Sequence, residues 1–219
     1  MRPSTLLFLT LAAGTSGCSA LGDSGAAAAA GDNGNNDNVG GDAAGDHDSA
    51  PGDREPPNPD FTTPAGAYVL LSPVAASPAV EDDHLTTSGP FVAEARVGHV
   101  SSLRSFGIDF AWDPQVLSHQ SHERVDTWLT SAGGSVLPAP EVLDATHGTL
   151  WVGAAVTGAG RAVSTTSSEA VYRVSFAWVG APAATAITID LSGPDSGLVQ
   201  DGAASALAGV AVIDLSVNP

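Results

Sequence analysis

Apolar and polar side chains alternate strictly in two segments of the chain. In each segment, large apolar residues are separated by single small or polar residues. A period of two is typical of a β-strand that buries one face. The pattern predicts that the buried positions are Phe106, Ile108, Phe110 and Trp112 in the first segment, and Tyr172, Val174, Phe176 and Trp178 in the second.

Weaker apolar runs predict further strands, and turn signals rich in Gly and Pro separate them. These runs cover residues 68–71, 91–100, 116–119, 150–156, 186–191 and 209–217. Val125, Trp128 and Leu129 have helical spacing, which predicts a connection of about two turns. Many short strands at this spacing predict an all-β sandwich or jelly roll.

The amino-terminal segment has the pattern of a signal peptide. Arg2 precedes an apolar run over residues 6–13 that is too short to span a bilayer. The single cysteine, Cys18, directly follows Thr15-Ser16-Gly17. This run resembles the lipobox of bacterial lipoproteins, in which the cysteine is lipidated and becomes the first residue of the mature protein. An ordinary secretory signal with an incidental cysteine is the alternative.

We therefore predict a lipoprotein signal peptide over residues 1–17 and a membrane anchor on Cys18. Under the sorting rule that this resemblance implies, Ser19 in place of Asp favours the outer membrane, and a secreted protein is the alternative. Residues 18–60 hold nine acidic side chains against one arginine and almost no large apolar group. Such a composition predicts a disordered acidic tether, followed by one domain over residues 61–219.

Charge narrows the classes of partner. The 219 residues have a formal net charge of -17, and all seven basic side chains are arginines. A field of this sign repels phosphate backbones, so nucleic-acid binding is excluded. If Cys18 carries lipid, no thiol remains for a disulfide, and the domain must rely on its hydrophobic core. We expect a monomer.

The order of the segments over residues 67–217 resembles a cohesin domain. The sharpest match is the run FAWDPQVL at residues 110–117, an aromatic residue followed by Asp-Pro and then Leu at the end of a strand. The resemblance implies a nine-stranded jelly-roll β-sandwich that acts as a non-catalytic binding module. Several carbohydrate-binding modules share this sandwich, so the resemblance implies the fold more directly than the ligand.

In dockerin-binding cohesins, the outward side of the third strand usually carries an Asp and a neighbouring Asn. Alignment on Asp113-Pro114 places Gly107 and Ser105 at these positions. We therefore expect no strong calcium-dependent binding to a dockerin of the usual kind. A protein partner is instead expected on one sheet face that carries the outward side chains Ser105, Asp109, Arg173 and Ser175.

Trp151 supports an alternative ligand. It is out of phase with the apolar residues Leu150 and Val152, so its ring is predicted to point outward. Exposed aromatic rings stack on the apolar faces of sugars. A carbohydrate-binding module is thus one alternative, and a structural or adhesive envelope lipoprotein without a discrete ligand is another.

No catalytic motif stands out. The sequence has no G-x-S-x-G, H-E-x-x-H or phosphate-loop pattern. His119 and His122 are three residues apart in a predicted strand, so they should point to opposite faces and not form a ligand pair. We predict no enzymatic activity, no metal and no cofactor. The preferred interpretation is a cell-envelope module for protein-protein attachment.

Overall fold

The computed structural model describes residue 58 and residues 60–74, 81–158 and 162–219, within the compact unit Ser49–Pro219. In these ranges all regular secondary structure is strand. The strands are β1 (Tyr68–Pro73), β2 (His84–Thr86), β3 (Phe91–Gly98), β4 (Leu103–Trp112), β5 (Leu117–Arg124), β6 (Ser135–Pro138), β7 (Val142–Asp144), β8 (Thr149–Thr157), β9 (Ser168–Trp178), β10 (Thr185–Asp190), β11 (Gly197–Gln200), β12 (Ala211–Ile213) and β13 (Leu215–Asn218).

The strands form two sheets. Sheet A has the order β12-β1-β3-β9-β5, in which β1 runs parallel to β12 and the remaining neighbours are antiparallel. Sheet B has the order β2-β13-β10-β4-β8-β6. In sheet B, β10 and β11 pair with successive parts of β4, while β7 and β6 pair with successive parts of β8. This two-sheet architecture confirms the predicted all-β sandwich.

The core lies between β4 of sheet B and β9 of sheet A, the two strands with the strictest alternation. Phe110 and Phe176 are fully buried, and Trp112 meets Phe176 edge-on with ring centroids 5.3 Å apart. Burying aromatic side chains supplies much of the hydrophobic stabilisation of such a core. Trp178 differs from the prediction because it is only half-buried where β9 ends.

The described residues form thirteen strands rather than nine. The last predicted strand, over residues 209–217, divides into β12 in sheet A and β13 in sheet B. Short edge strands such as β6 and β7 add to the number. The short helix predicted near Val125 is a turn instead, in which the Thr130 N–H donates to the Asp126 carbonyl at 2.9 Å. Trp128 and Leu129 are nevertheless buried.

Asn58 connects the chain ahead of the predicted domain boundary to the sandwich. Its side-chain amide donates to the Asp83 carboxylate at 2.9 Å. The Phe61 N–H in turn donates to the Asn58 carbonyl at 3.0 Å. The predicted signal peptide, Cys18 and nearly all of the predicted tether lie outside the described residues. Within the described ranges, no helix has the length and apolar character that a membrane span requires.

Candidate docking face

Asp109 and Trp151 lie directly opposite each other on neighbouring strands, on the outer face of sheet B. The Ser196 hydroxyl donates to the Asp109 carboxylate and accepts a hydrogen bond from the Trp151 indole N–H at 3.3 Å. Trp151 points outward as predicted, but it is only half-exposed. Since these three side chains bond to one another, they form a fixed polar group on this face.

The connection between β10 and β11 passes over the same face. A Cβ atom built on Gly107 would lie 2.1 Å from the carbonyl oxygen of Asp195. No side chain can occupy that space, so residue 107 must be glycine if the connection is to lie there. The position at which the cohesin resemblance leads one to expect a polar side chain is therefore covered by this chain's own backbone.

Apolar side chains extend the outer face of sheet B towards its edge. Leu137 in β6 pairs with Ala155 of β8, and Val142 in β7 pairs with Trp151. Each of the two side chains is 60% exposed. Their partners on β8 are four residues apart, so the two side chains lie about 13 Å apart along one edge of the sheet. Exposed aliphatic groups on a face that also carries polar groups are typical of surfaces that bind another protein.

The face also carries acidic charge. Asp190 in β10 lies opposite Asp109 across the strand pair. Hydrogen bonding from Ser192, whose N–H donates at 2.7 Å, lowers the pKa of Asp190 and keeps it ionised at neutral pH. Ser105 is half-buried further along β4, opposite Ala155. We define the docking face as Ser105, Asp109, Leu137, Val142, Trp151, Asp190 and Ser196.

The structure does not bring all the predicted binding residues together. Arg173 and Ser175 belong to β9 in sheet A, whereas Ser105 and Asp109 belong to β4 in sheet B. The prediction that these four side chains share one face is wrong. Both strands bury their apolar face in the same core from opposite sides, so their outward side chains point away from each other.

Arg173 takes part in an ion-pair network on the outer face of sheet A. Its Nε atom lies 2.8 Å from Glu94, and its Nη1 atom lies 3.4 Å from Glu123. Glu94 is almost fully buried and also accepts from Arg96 at 2.5 Å. The bond to Glu94 is the main cause of the raised pKa of Arg173. These contacts assign Arg173 a structural role.

The prediction that His119 and His122 point to opposite faces is also wrong. A β-bulge in β5 places His119 opposite Phe176 and His122 opposite Val174, both on the core side. The Nε2 atom of His119 then lies 2.8 Å from the Nδ1 atom of His122. An extra residue shifts the alternation by one, which brings side chains three apart onto one face. In the described ranges, no group of three or more His, Cys, Asp or Glu could hold a metal ion.

Several residues of the docking face were missed by the sequence analysis. Leu137 and Val142 stand in two short apolar runs interrupted by Pro138 and Pro140. Proline within such runs is a sign of edge strands, and this signal could have identified β6 and β7. Ser196 gave no comparable signal, because its contacts depend on how the β10–β11 connection crosses β4.

Comparison with solved structures identifies the architecture. The second type II cohesin module from the adaptor ScaA scaffoldin of Acetivibrio cellulolyticus is 14% identical over 70% of this chain and 97% of that chain, with a TM-score of 0.54. Another type II cohesin from the cellulosome of that organism is 12% identical over 70% of this chain and 95% of its own, with a TM-score of 0.52.

A third similar structure is a type II cohesin–X-dockerin complex from Acetivibrio cellulolyticus, at 14% identity. It covers 69% of this chain and 99% of the matched chain, with a TM-score of 0.50. No family model and no curated protein matches this chain in sequence. The two-sheet topology and these similarities together show that the described part of the chain has the β-sandwich fold of cohesin domains.

Proposed function

We propose that this chain is a non-catalytic protein-binding module, held at the cell envelope by lipid on Cys18, whose partner docks on the outer face of sheet B. The observation that carries the proposal is that two exposed aliphatic side chains, Leu137 and Val142, share the outer face of sheet B with the polar group of Asp109, Ser196 and Trp151. Aliphatic groups supply the area that a partner buries, while fixed polar groups set its orientation.

The charge of the face indicates the chemistry of the partner. Asp109 and Asp190 lie side by side, and the whole chain has a formal net charge of -17. A partner with basic groups around an apolar centre would complement this surface and associate faster at low ionic strength. A strongly acidic partner would be repelled.

The solved cohesin–X-dockerin complex supports a protein partner, since a similar sandwich binds another protein there. The covered position at Gly107 supports a partner other than a dockerin of the usual kind. The backbone of Asp195 occupies the space over this part of β4, so a partner must contact the β10–β11 connection itself or the aliphatic pair beside it.

Carbohydrate binding is supported less well. Within the strands of sheet B, Trp151 is the one Phe, Tyr or Trp ring on the outer face, and its indole N–H already donates to Ser196. A single half-exposed ring offers a small platform for stacking, compared with the row of rings that a planar polysaccharide surface uses. We keep this alternative as an outcome of the test.

The test uses a photo-reactive amino acid placed at Leu137 or Val142 of the full-length protein in its native cells. We expect crosslinking to one discrete protein from both positions. The matched control is Val179, an exposed aliphatic residue just after β9 of sheet A, from which no such product is expected. The variant Asp109→Ala should weaken the crosslink, because it removes a carboxylate from the face.

Equal crosslinking from Val179 would contradict the docking face. A parallel assay compares retention on insoluble polysaccharides of the native protein and a Trp151→Ala variant. Retention that is lost only in Trp151→Ala, without any discrete crosslinked protein, would favour the carbohydrate-binding alternative.

A further inference from the structure

A cavity of about 330 Å³ opens at the carboxyl end of β10, where that strand meets the docking face. Its walls come from the end of β10 and from the connection that leads from β11 into β12. Three aliphatic residues of these walls, Leu191, Leu207 and Val210, are half-buried and pack against the core. A volume at the lower end of those that hold small ligands suits one long side chain.

Hydrogen bonds between distant segments hold the walls in place. The Leu207 N–H donates to the Leu198 carbonyl at 2.6 Å, which ties the β11–β12 connection to β11. The Ile189 N–H donates to the Asp214 carboxylate at 2.8 Å, which fixes the end of β10 on the opposite side. The cavity therefore has its shape before any ligand enters, and a preformed site loses little free energy to ordering when it binds.

Asp190 gives the cavity a negative charge. It is an exposed lining residue, and hydrogen bonding from Ser192 lowers its pKa, so the carboxylate is charged at neutral pH. A carboxylate has about four acceptor positions, of which Ser192 can fill at most two with its N–H and hydroxyl. Asp109 lies opposite Asp190 on β4 and adds to the negative potential. Among the described residues that line the cavity, none is basic.

Apolar walls beside a carboxylate match the chemistry of a long basic side chain. The methylene groups of such a side chain lie on apolar surface while its charged end stays at the opening. Arginine fits better than lysine, because its guanidinium group is more weakly hydrated and can bond to a carboxylate with two N–H groups. A purely aliphatic side chain would fill the same space but would remove water from Asp190 without replacing its hydrogen bonds.

We propose that this cavity binds an arginine side chain of the protein partner, with its methylene groups against Leu207 and Val210 and its guanidinium group paired with Asp190. The partner in this statement rests on the proposed function, since Asp190 belongs to the docking face. The arginine would anchor the partner on the β10 side of sheet B, while Leu137 and Val142 contact it on the β8 side. Arginine is among the residues that most often dominate binding at protein interfaces.

The first test needs no partner, because N-acetyl-arginine amide serves as the probe. Amide chemical shifts of the full-length protein are followed as the probe is added. We expect saturable shifts at Leu191, Leu207 and Val210, with a dissociation constant on the order of 1 mM. N-acetyl-citrulline amide has the same stem and an uncharged urea group, and it should bind about three- to fivefold more weakly. An absence of shifts at these amides, or equal binding of N-acetyl-norleucine amide, would overturn the proposal.

The variant Asp190→Asn tests the charge. Asparagine still accepts a hydrogen bond from the Ser192 N–H, so the turn is kept, but binding of the arginine probe should weaken about three- to fivefold. The matched control is Asp144→Asn. Asp144 is an exposed carboxylate that likewise accepts from the N–H two residues on, that of Thr146 at 3.1 Å, and it lies on β7, beyond β8. This control should bind like the wild type, and unchanged binding in Asp190→Asn would refute pairing with Asp190.

The second test identifies what the partner places in the cavity. Thr188 is exposed on β10, two residues before Asp190, and a photo-reactive amino acid there leaves the walls intact. We expect it to crosslink in native cells to the same discrete protein as Leu137 does, through a peptide that contains arginine. A crosslinked peptide without arginine would overturn the assignment of the ligand.

The two proposals fail separately. Crosslinking from Leu137 and Val142 tests the docking face without reference to the cavity. If it yields no discrete protein while the arginine probe still binds and Asp190→Asn still weakens it, the proposed function is contradicted and the arginine site stands. If the probe does not bind while the crosslinks form, the arginine site is contradicted and the docking face stands.

Discussion

At the scale of single residues, Gly107 shows how a backbone contact determines a side chain. The carbonyl of Asp195 approaches the position that a Cβ atom would take, so the β10–β11 connection can cross β4 only at a glycine. Ser196 then bonds with both Asp109 and Trp151. One crossing connection thus explains why residue 107 lacks the side chain that the cohesin resemblance suggests, and why Trp151 is only half-exposed.

The variant Gly107→Ala tests this explanation. The added methyl group must displace the Asp195 backbone, and we expect the free energy of unfolding to fall by about 1–3 kcal/mol. The control is Gly66→Ala, where an added Cβ would meet no atom within 4 Å. Denaturant unfolding of both variants measures the difference. Equal stability of the two variants would show that the connection does not press on β4.

At the scale of strands, a buried carboxylate joins the central strands of sheet A. Glu94 on β3 lies opposite Arg173 on β9 and bonds with both Arg173 and Arg96. Its side chain is only 5% exposed, whereas that of Arg173 is 37% exposed. A carboxylate buried to this degree is tolerated because two guanidinium groups and their hydrogen bonds compensate its lost hydration.

Removal of this carboxylate should be costly. Glu94→Ala leaves the nearly buried Arg96 without its counter-charge, and we expect a loss of roughly 3 kcal/mol. The matched control is Asp201→Ala, which removes the exposed Arg104–Asp201 pair, with atoms 3.3 Å apart. That loss should stay below about 1 kcal/mol. Chemical denaturation at neutral pH measures the free energy of unfolding of both variants. Decreases of similar size would refute a structural role for the Glu94 network.

At the scale of the whole molecule, the proposed function combines an anchor, a spacer and a sandwich. The Asn58–Asp83 bond shows that the last residues before the predicted domain already contact the sandwich. The acidic composition of the preceding chain would keep it solvated, so a docking face held on such a spacer could reach partners at some distance from the membrane.

The anchor is tested through the single cysteine. Cys18→Ala should move the protein from the membrane fraction to the soluble fraction, because no acyl chain can then attach. Mass spectrometry of the native protein should find lipid on an amino-terminal Cys18. Ser19→Ala is the control and should remain in the membrane fraction. Continued sedimentation of Cys18→Ala with membranes would contradict lipidation at this residue.

The sequence by itself was sufficient for the fold class and for the core faces of the longest strands. Strict alternation in β4 and β9 identified Phe106, Phe110, Tyr172 and Phe176 as buried, and the structure confirms all four. The reason is local. In a strand that packs on one side, buried positions recur at every second residue. This period can be identified without knowledge of any other strand. The outward direction of Trp151 followed from the same rule.

Only the tertiary structure decided which outward residues share a surface. Alternation does not say which sheet a strand joins, so Asp109 and Arg173 were assigned to one face although they lie on opposite sheets. The bulge in β5 and the passage of the β10–β11 connection over Gly107 could not be predicted from the sequence either. Each of these features depends on pairing between segments that are distant along the chain. The free energy of such pairing comes from long-range contacts, which the alternation of residues within one segment does not reveal.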